Sequence, residues 1–232
     1  MRRVTTTAAD LWHHYGRNRA ATDRSVPDTF SWAWSQDGGP GAEVLGDLTG
    51  LRVGDLGAGS ARQASYLVAR HQPVRVIAVD ASAAQHAMAT SLYSGLAPRL
   101  HLVHAEAVEH LRTMHGSYDV LYSVFGAVDF TDPRDLLPAA CAALRPGGRL
   151  VFSTLAHYTN GEPAETAVVH ADIPARTPDG TPTTMRRWVL REHLWTTLLV
   201  AAGLTDVTVD MLPAPGTEQR TAETLLVTAS RK

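Results

Sequence analysis

The chain has one cysteine, Cys141, so no internal disulfide can form, and the fold must be held by its core in a reducing setting. The surrounding PAACAALRP reads as helix, where a lone cysteine is expected to be a small buried hydrophobe and not a nucleophile. Lysine is almost missing, with only Lys232, and the net charge at pH 7 is −2. No basic field is available to collect nucleic acid or an anionic membrane surface, which leaves a small molecule as the expected partner. No segment reaches the ~20 apolar residues of a membrane span. Arg2 and Arg3 are not followed by an apolar run of signal length, so the expected location is the cytoplasm.

What is present suits one substantial core: 232 residues, 44% of them hydrophobic. From Leu51, short apolar runs alternate with segments of helical period. Strands are expected over 51–56, 74–79, 100–104, 120–124 and 149–154, with helices over 61–71, 83–93, 108–114 and 135–144 between them. Such alternation is the mark of βαβ units around a mainly parallel α/β sheet with helices on both faces. The rhythm then changes to a helix over 192–202, a Gly203 stop and two consecutive strands, 206–211 and 224–229, separated by the turn-rich PAPG. That pattern predicts a terminal antiparallel hairpin.

Two regions fall outside this scheme. Residues 1–50 hold a helical piece, ADLWHHYG, an aromatic cluster, FSWAW, and a Gly/Pro-punctuated helix, GPGAEVLGDL; they read as an N-terminal cap and substrate segment ahead of a 51–232 domain. Residues 156–186, with Pro163, Pro174, Pro178 and Pro182, are too long for an ordinary connection, so a lid or an irregular stretch is expected.

GDLGAGSAR, residues 54–62, lies where an open parallel sheet binds ligands, at the carboxyl end of the first strand. A dinucleotide fingerprint needs a third glycine where Arg62 stands, which argues against a nicotinamide oxidoreductase. Instead Asp55 precedes Gly57, Gly59 and Ala61. This Asp-x-Gly-x-Gly-x-Ala run resembles motif I of the class I S-adenosylmethionine-dependent methyltransferases, with Ala61 in place of a glycine. Further landmarks follow in the family's order: VIAVDAS with Asp80, HLVHAEA with Glu106 and Ala107, YDVLYSVFGAVDF, the LRPGGRLV turn, then WTTLLVAAGLTDVTV and TLLVTAS.

The resemblance implies a Rossmann-like seven-stranded sheet of order 3-2-1-4-5-7-6 with strand 7 antiparallel. It implies S-adenosyl-L-methionine as cofactor, bound by Asp55, Gly57, Ala58, Gly59, Asp80, Ala81, Glu106, Ala107 and Ser123. A carboxylate such as Asp80 suits a ribose diol, because its two oxygens can accept two hydrogen bonds. The implied activity is methyl transfer to an O, N or C atom of a small molecule. The same landmarks would serve an S-adenosylmethionine-binding protein with a non-methylating reaction such as cyclisation, and a homodimer is allowed.

Methyl transfer depends chiefly on alignment, so few catalytic residues are needed. Histidine is the side chain best matched to proton transfer at neutral pH, and His157, directly after the fifth strand, is the candidate base. Tyr15, Trp32, Trp34, Phe125, Phe130 and Tyr158 are candidates for the acceptor site, where aromatic faces can stack on a flat substrate. Asp129 stands where metal-dependent catechol-type methyltransferases place a ligand. The segment after the fifth strand offers only Asn160 to complete such a set, so no metal is expected.

Overall fold

The computed structural model describes residues 7–17, 24–36, 38–214 and 222–232. Seven strands form one sheet: β1 (Arg52–Leu56), β2 (Arg75–Asp80), β3 (Leu100–His104), β4 (Tyr118–Val124), β5 (Leu144–Leu155), β8 (Leu204–Leu212) and β9 (Thr224–Arg231). Their order is β3-β2-β1-β4-β5-β9-β8. The first five run parallel, while β9 lies antiparallel to both β5 and β8. This is the sheet the sequence implied. The tip of the β8–β9 hairpin, including part of PAPG, lies outside the described residues.

Both faces are covered, which is why the central strands read as continuous apolar runs. On one face α1 (Arg62–Arg70) and α2 (Ala83–Tyr93) bury Ala64, Leu67, Val68, Ala89 and Tyr93 against Val53, Val76 and Tyr122, and Phe30, Trp32, Leu45 and Leu48 extend that cluster. On the other, α3 (Ala107–Arg112), α5 (Pro133–Ala143) and α6 (Glu192–Ala201) bury Leu111, Leu136, Leu137, Trp195 and Leu199 against Leu121 and Phe152. A one-turn helix, α4 (Ala127–Phe130), sits between β4 and α5. Cys141 packs against the second cluster. No helix among the described residues is long and apolar enough to cross a membrane.

Three local expectations are corrected. ADLWHHYG and GPGAEVLGDL are helical over a shorter span than expected, as 3-10 helices at Ala8–Trp12 and Ala42–Leu45, the second ended by Gly46 at φ +72°. LRPGGRLV is not a turn ahead of the fifth strand: α5 stops at Ala143, and LRPGG is a bulge inside β5, whose register with β4 slips between Tyr118 and Val120. The 156–186 stretch is not irregular throughout. It carries an antiparallel hairpin, β6 (Ala171–Arg176) with β7 (Pro182–Arg187), closed by the turn in which Thr177 N–H donates to Thr181 O at 3.0 Å.

Candidate active site

The site is built at the carboxyl ends of β1, β2 and β4. Asp55 and Tyr122 are directly paired residues of adjacent parallel strands, so their side chains share a face. The Tyr122 hydroxyl donates to Asp55 Oδ2 at 2.8 Å. Both are buried. Burial lifts the Asp55 carboxyl to about 7 against the opposing pull of that hydrogen bond, with Asp80 adding to the rise.

After Asp55 the chain turns sharply, with Gly57 at φ +77° and its N–H, like that of Ala58, donating to Val79 O. A side chain at Gly57 would begin 2.2 Å from Ala127 N and 2.7 Å from Gly126 C, so the loop rests directly on the start of α4. Gly59 is different: it too has positive φ, but a methyl group there would meet only Gln85 Oε1 at 3.6 Å. There is space above the loop at Gly59 and none beneath it at Gly57. Ala61, standing for the family's third glycine, also holds a left-handed conformation, φ +59°.

Asp80 ends β2 with its carboxylate aimed by two backbone donors, Gly59 N–H to Oδ2 at 2.7 Å and Ser82 N–H to Oδ1 at 2.8 Å. Burial raises it, while these hydrogen bonds and the nearby His104 and His86 oppose the rise. Ala81 accepts from, or faces, His104 Nε2 through its carbonyl at 3.0 Å. Glu106 precedes α3 and is exposed, and Ala107 is buried behind it. Asp55, Gly57, Ala58, Gly59, Asp80, Ala81, Glu106 and Ala107 thus lie together along one sheet edge. Ser123 lies below it: fully buried, it donates to Leu56 O at 2.7 Å and supports the glycine loop from beneath, a position from which it does not face the cleft.

The acceptor-side residues divide. Trp32 is completely buried in the core with Phe30 and Tyr122, and its indole N–H donates to Gly41 O at 2.8 Å, so the expected substrate contact is corrected to a packing role. Trp34, two residues on, faces the other way. Its ring meets Phe125 edge-on at 5.0 Å and lies 5.2 Å from the Arg187 guanidinium, which is also 5.3 Å from Phe130. Trp12 continues the row, 4.7 Å from Phe130. Tyr15 is largely exposed. Tyr158 is buried, donating its hydroxyl to Glu165 Oε1 at 3.1 Å, and burial pushes its phenol well up.

His157 has a main-chain group at each ring nitrogen: Nδ1 lies 2.9 Å from Tyr158 O, and Nε2 accepts from Glu223 N–H at 3.4 Å. Both ring nitrogens thus face main-chain groups. Asp129 is fully buried and bonded through Oδ2 to Arg187 Nη2 at 2.5 Å and Nε at 3.1 Å. Burial alone raises the Asp129 carboxyl, and the guanidinium pulls it back. No cluster of three or more His, Cys, Asp or Glu suited to a metal occurs among the described residues. Three participants were not singled out from sequence: Trp12, Gln85 and Arg187. Their contacts with Phe130, with Trp12 and Tyr15, and with Asp129 respectively join distant parts of the chain, so no local pattern marks them.

Residues 53–148 match the family described as a methyltransferase domain. The chain is 30% identical over 141 residues to the ubiquinone biosynthesis O-methyltransferase of Escherichia fergusonii, covering 60% of this chain and 57% of that protein. It therefore spans a little over half the length of that relative. Among solved structures it resembles an S-adenosylmethionine-dependent methyltransferase from Mesorhizobium loti, with TM-score 0.58, 21% identity, and 81% and 94% of the two chains covered. It also resembles the 1,6-didemethyltoxoflavin-N1-methyltransferase of Burkholderia thailandensis (TM-score 0.56, 22% identity, 82% and 74% covered). A third likeness is the geranyl diphosphate C-methyltransferase of Streptomyces coelicolor, with TM-score 0.61, 14% identity, and 81% and 72% covered.

Proposed function

We propose that this chain, which has the class I S-adenosylmethionine-dependent methyltransferase fold, transfers a methyl group from S-adenosylmethionine to an O, N or C atom of a small-molecule acceptor. The observation that carries the reading is Asp80, whose carboxylate is fixed by Gly59 and Ser82 beside a glycine loop with room above it. Each of its oxygens accepts one backbone N–H and keeps a lone pair for a vicinal diol. Gly59 lets a ligand approach the backbone, and Ala81, Glu106 and Ala107 border the adjoining space at the ends of β2 and β3. These residues fit the cofactor. The similar proteins named above are O-, N- and C-methyltransferases by description, which supports a small acceptor without choosing the atom.

When bound, the cofactor supplies a methyl group on a sulfonium, open to in-line displacement. The chain's part is alignment and exclusion of water. Trp34, Phe125 and Phe130 form an apolar wall beyond the end of β4, and Arg187 is fixed within it by Asp129. His157 is assigned to tying the end of β5 to the residue before β9, so the reading places no proton transfer on it.

A thermal-shift comparison tests this. S-adenosylhomocysteine should stabilise the protein, and Asp80→Ala should abolish the shift. Stabilisation by NAD(H) with none by S-adenosylhomocysteine would overturn the reading. Gain of one methyl group by an offered small-molecule acceptor, followed by mass spectrometry, tests the reaction itself.

A further inference from the structure

Gln85 lies in the first turn of α2, immediately after the loop that carries Asp80, and its side chain is 2% exposed. A buried primary amide must find partners for its two N–H groups, and here both come from one distant segment of the chain. Nε2 donates to Trp12 O at 2.8 Å and to Tyr15 O at 2.9 Å, so both of its hydrogens go to the N-terminal segment. Oε1 is turned toward the glycine loop, the nearest atom to a side chain built at Gly59. One amide thus borders the open space above Gly59 with its oxygen and holds the N-terminal segment with its nitrogen.

That segment reaches the acceptor side at two further points. Trp12 packs edge-on against Phe130, the ring that flanks Arg187. His14 Nε2 lies 3.0 Å from Pro178 O, at the turn of the β6–β7 hairpin. Between Ala8 and Gly16 the chain therefore bridges the cofactor-side helix α2, the Phe130 ring and the turn of the β6–β7 hairpin. On α2, the fixed point of this bridge is Gln85, and Gln85 in turn is set by the Ser82 cap, whose own N–H aims Asp80.

Resting on the methyltransferase reading above, we infer that Gln85 is a positioning residue that makes closure of the N-terminal segment over the acceptor site depend on a filled glycine loop. The consequence is an order of binding: cofactor first, acceptor second. A ligand on the loop restrains Gly59 and Asp80, restrains Gln85 through them, and so holds the two carbonyls that Gln85 ties down.

Gln85→Met keeps the length and buried volume while removing both donors. Gln85→Glu keeps the shape but faces two carbonyl oxygens with an acceptor. In the unaltered chain, S-adenosylhomocysteine should slow hydrogen exchange of amides in residues 8–17. In both variants that added protection should vanish, S-adenosylhomocysteine affinity should fall about tenfold from the loss of two hydrogen bonds, and melting without ligand should change little in Gln85→Met. With an acceptor in hand, its KM should rise more than kcat falls, a split that simple loss of fold would not give. If S-adenosylhomocysteine binds the unaltered chain but protects 8–17 equally in Gln85→Met, the coupling is wrong while the methyltransferase reading stands. If it does not bind the unaltered chain at all, both fall.

Discussion

Replacing Arg187 by methionine should damage the protein far more than the loss of a surface ion pair, and the structure sets the scale. The two side chains are 8% and 0% exposed, so almost no solvent screens the 2.5 Å contact between Arg187 Nη2 and Asp129 Oδ2. Methionine fills much of the volume between Trp34 and Phe130 but leaves the Asp129 carboxylate buried without a counter-charge. Breaking such a pair from one side costs about 3–5 kcal/mol, and the lost guanidinium contacts with two rings add to that. For a chain of this size the melting temperature should fall by roughly 6–20 °C. The penalty should also depend on pH in a defined direction. With no guanidinium beside it, the folded-state pKa of Asp129 rises far above its unfolded value, so the destabilisation is full at high pH. It fades as pH falls through the folded pKa toward about 4, where the unfolded carboxyl is protonated too. Urea unfolding at pH 5 and pH 8 measures both effects. The double variant Asp129→Leu/Arg187→Met removes both charges and should recover most of the loss. A single variant within about 1 kcal/mol of the parent, or a double variant no more stable than the single, would refute the reasoning.

Asp55 titrates near 7 in the fold, so its contribution favours the folded state at low pH and is lost as pH rises from about 4 to about 7. Asp55→Asn, which can still accept from Tyr122, should flatten that dependence and raise apo-protein stability at pH 8, as read by melting across pH. Gly57→Ala places a methyl group against Ala127 N and Gly126 at a positive φ, and should cost about 2–5 kcal/mol in chemical denaturation and abolish S-adenosylhomocysteine binding by calorimetry. Ala61→Gly relieves a left-handed alanine, φ +59°, and should raise the melting temperature slightly, by up to about 1 kcal/mol equivalent. His157→Gln should leave the pH profile of methyl transfer unchanged while lowering stability; loss of the acidic limb, where a protonated base stops working, would restore the histidine to the chemistry.

The sheet was legible in the sequence because its information is local. VIAV in β2 and the run in β4 are buried on both faces and read as unbroken apolar strands, and Asp55 and Asp80 fall at strand ends that the alternation already marks. The hairpin inside 156–186 was hidden because Pro174 and Pro182 stand within its strands. A two-stranded ribbon tolerates them, and the inward alternation is carried by small or partly covered residues, Ala171, Ile173 and Ala175 on β6 with Met185 and Arg187 on β7. Trp32 and Trp34 look equivalent in FSWAW, yet one fills the core and the other the site wall, a division set by which way the chain crosses the sheet. Gln85 and Arg187 carry no local mark, and Asp129, marked only by its place after the fourth strand, gives no sign of its arginine partner. Each is a polar residue made tolerable in the interior by a partner that only the folded chain brings near.

The β6–β7 hairpin leaves and rejoins the domain at nearly one place. Glu165 N–H donates to Val189 O at 2.8 Å and Arg191 N–H to Glu165 O at 3.2 Å, while Trp188 N–H donates to Asp129 O at 2.8 Å. Both roots are clamped, so what lies between them is an exchangeable cassette. Apart from Arg187, which ends β7 and pairs with Asp129, its length and sequence can vary at an entropic cost that grows only slowly with size. On the methyltransferase reading, a graft of that ribbon between related chains, with Arg187 kept, should carry acceptor preference with it and leave cofactor affinity behind.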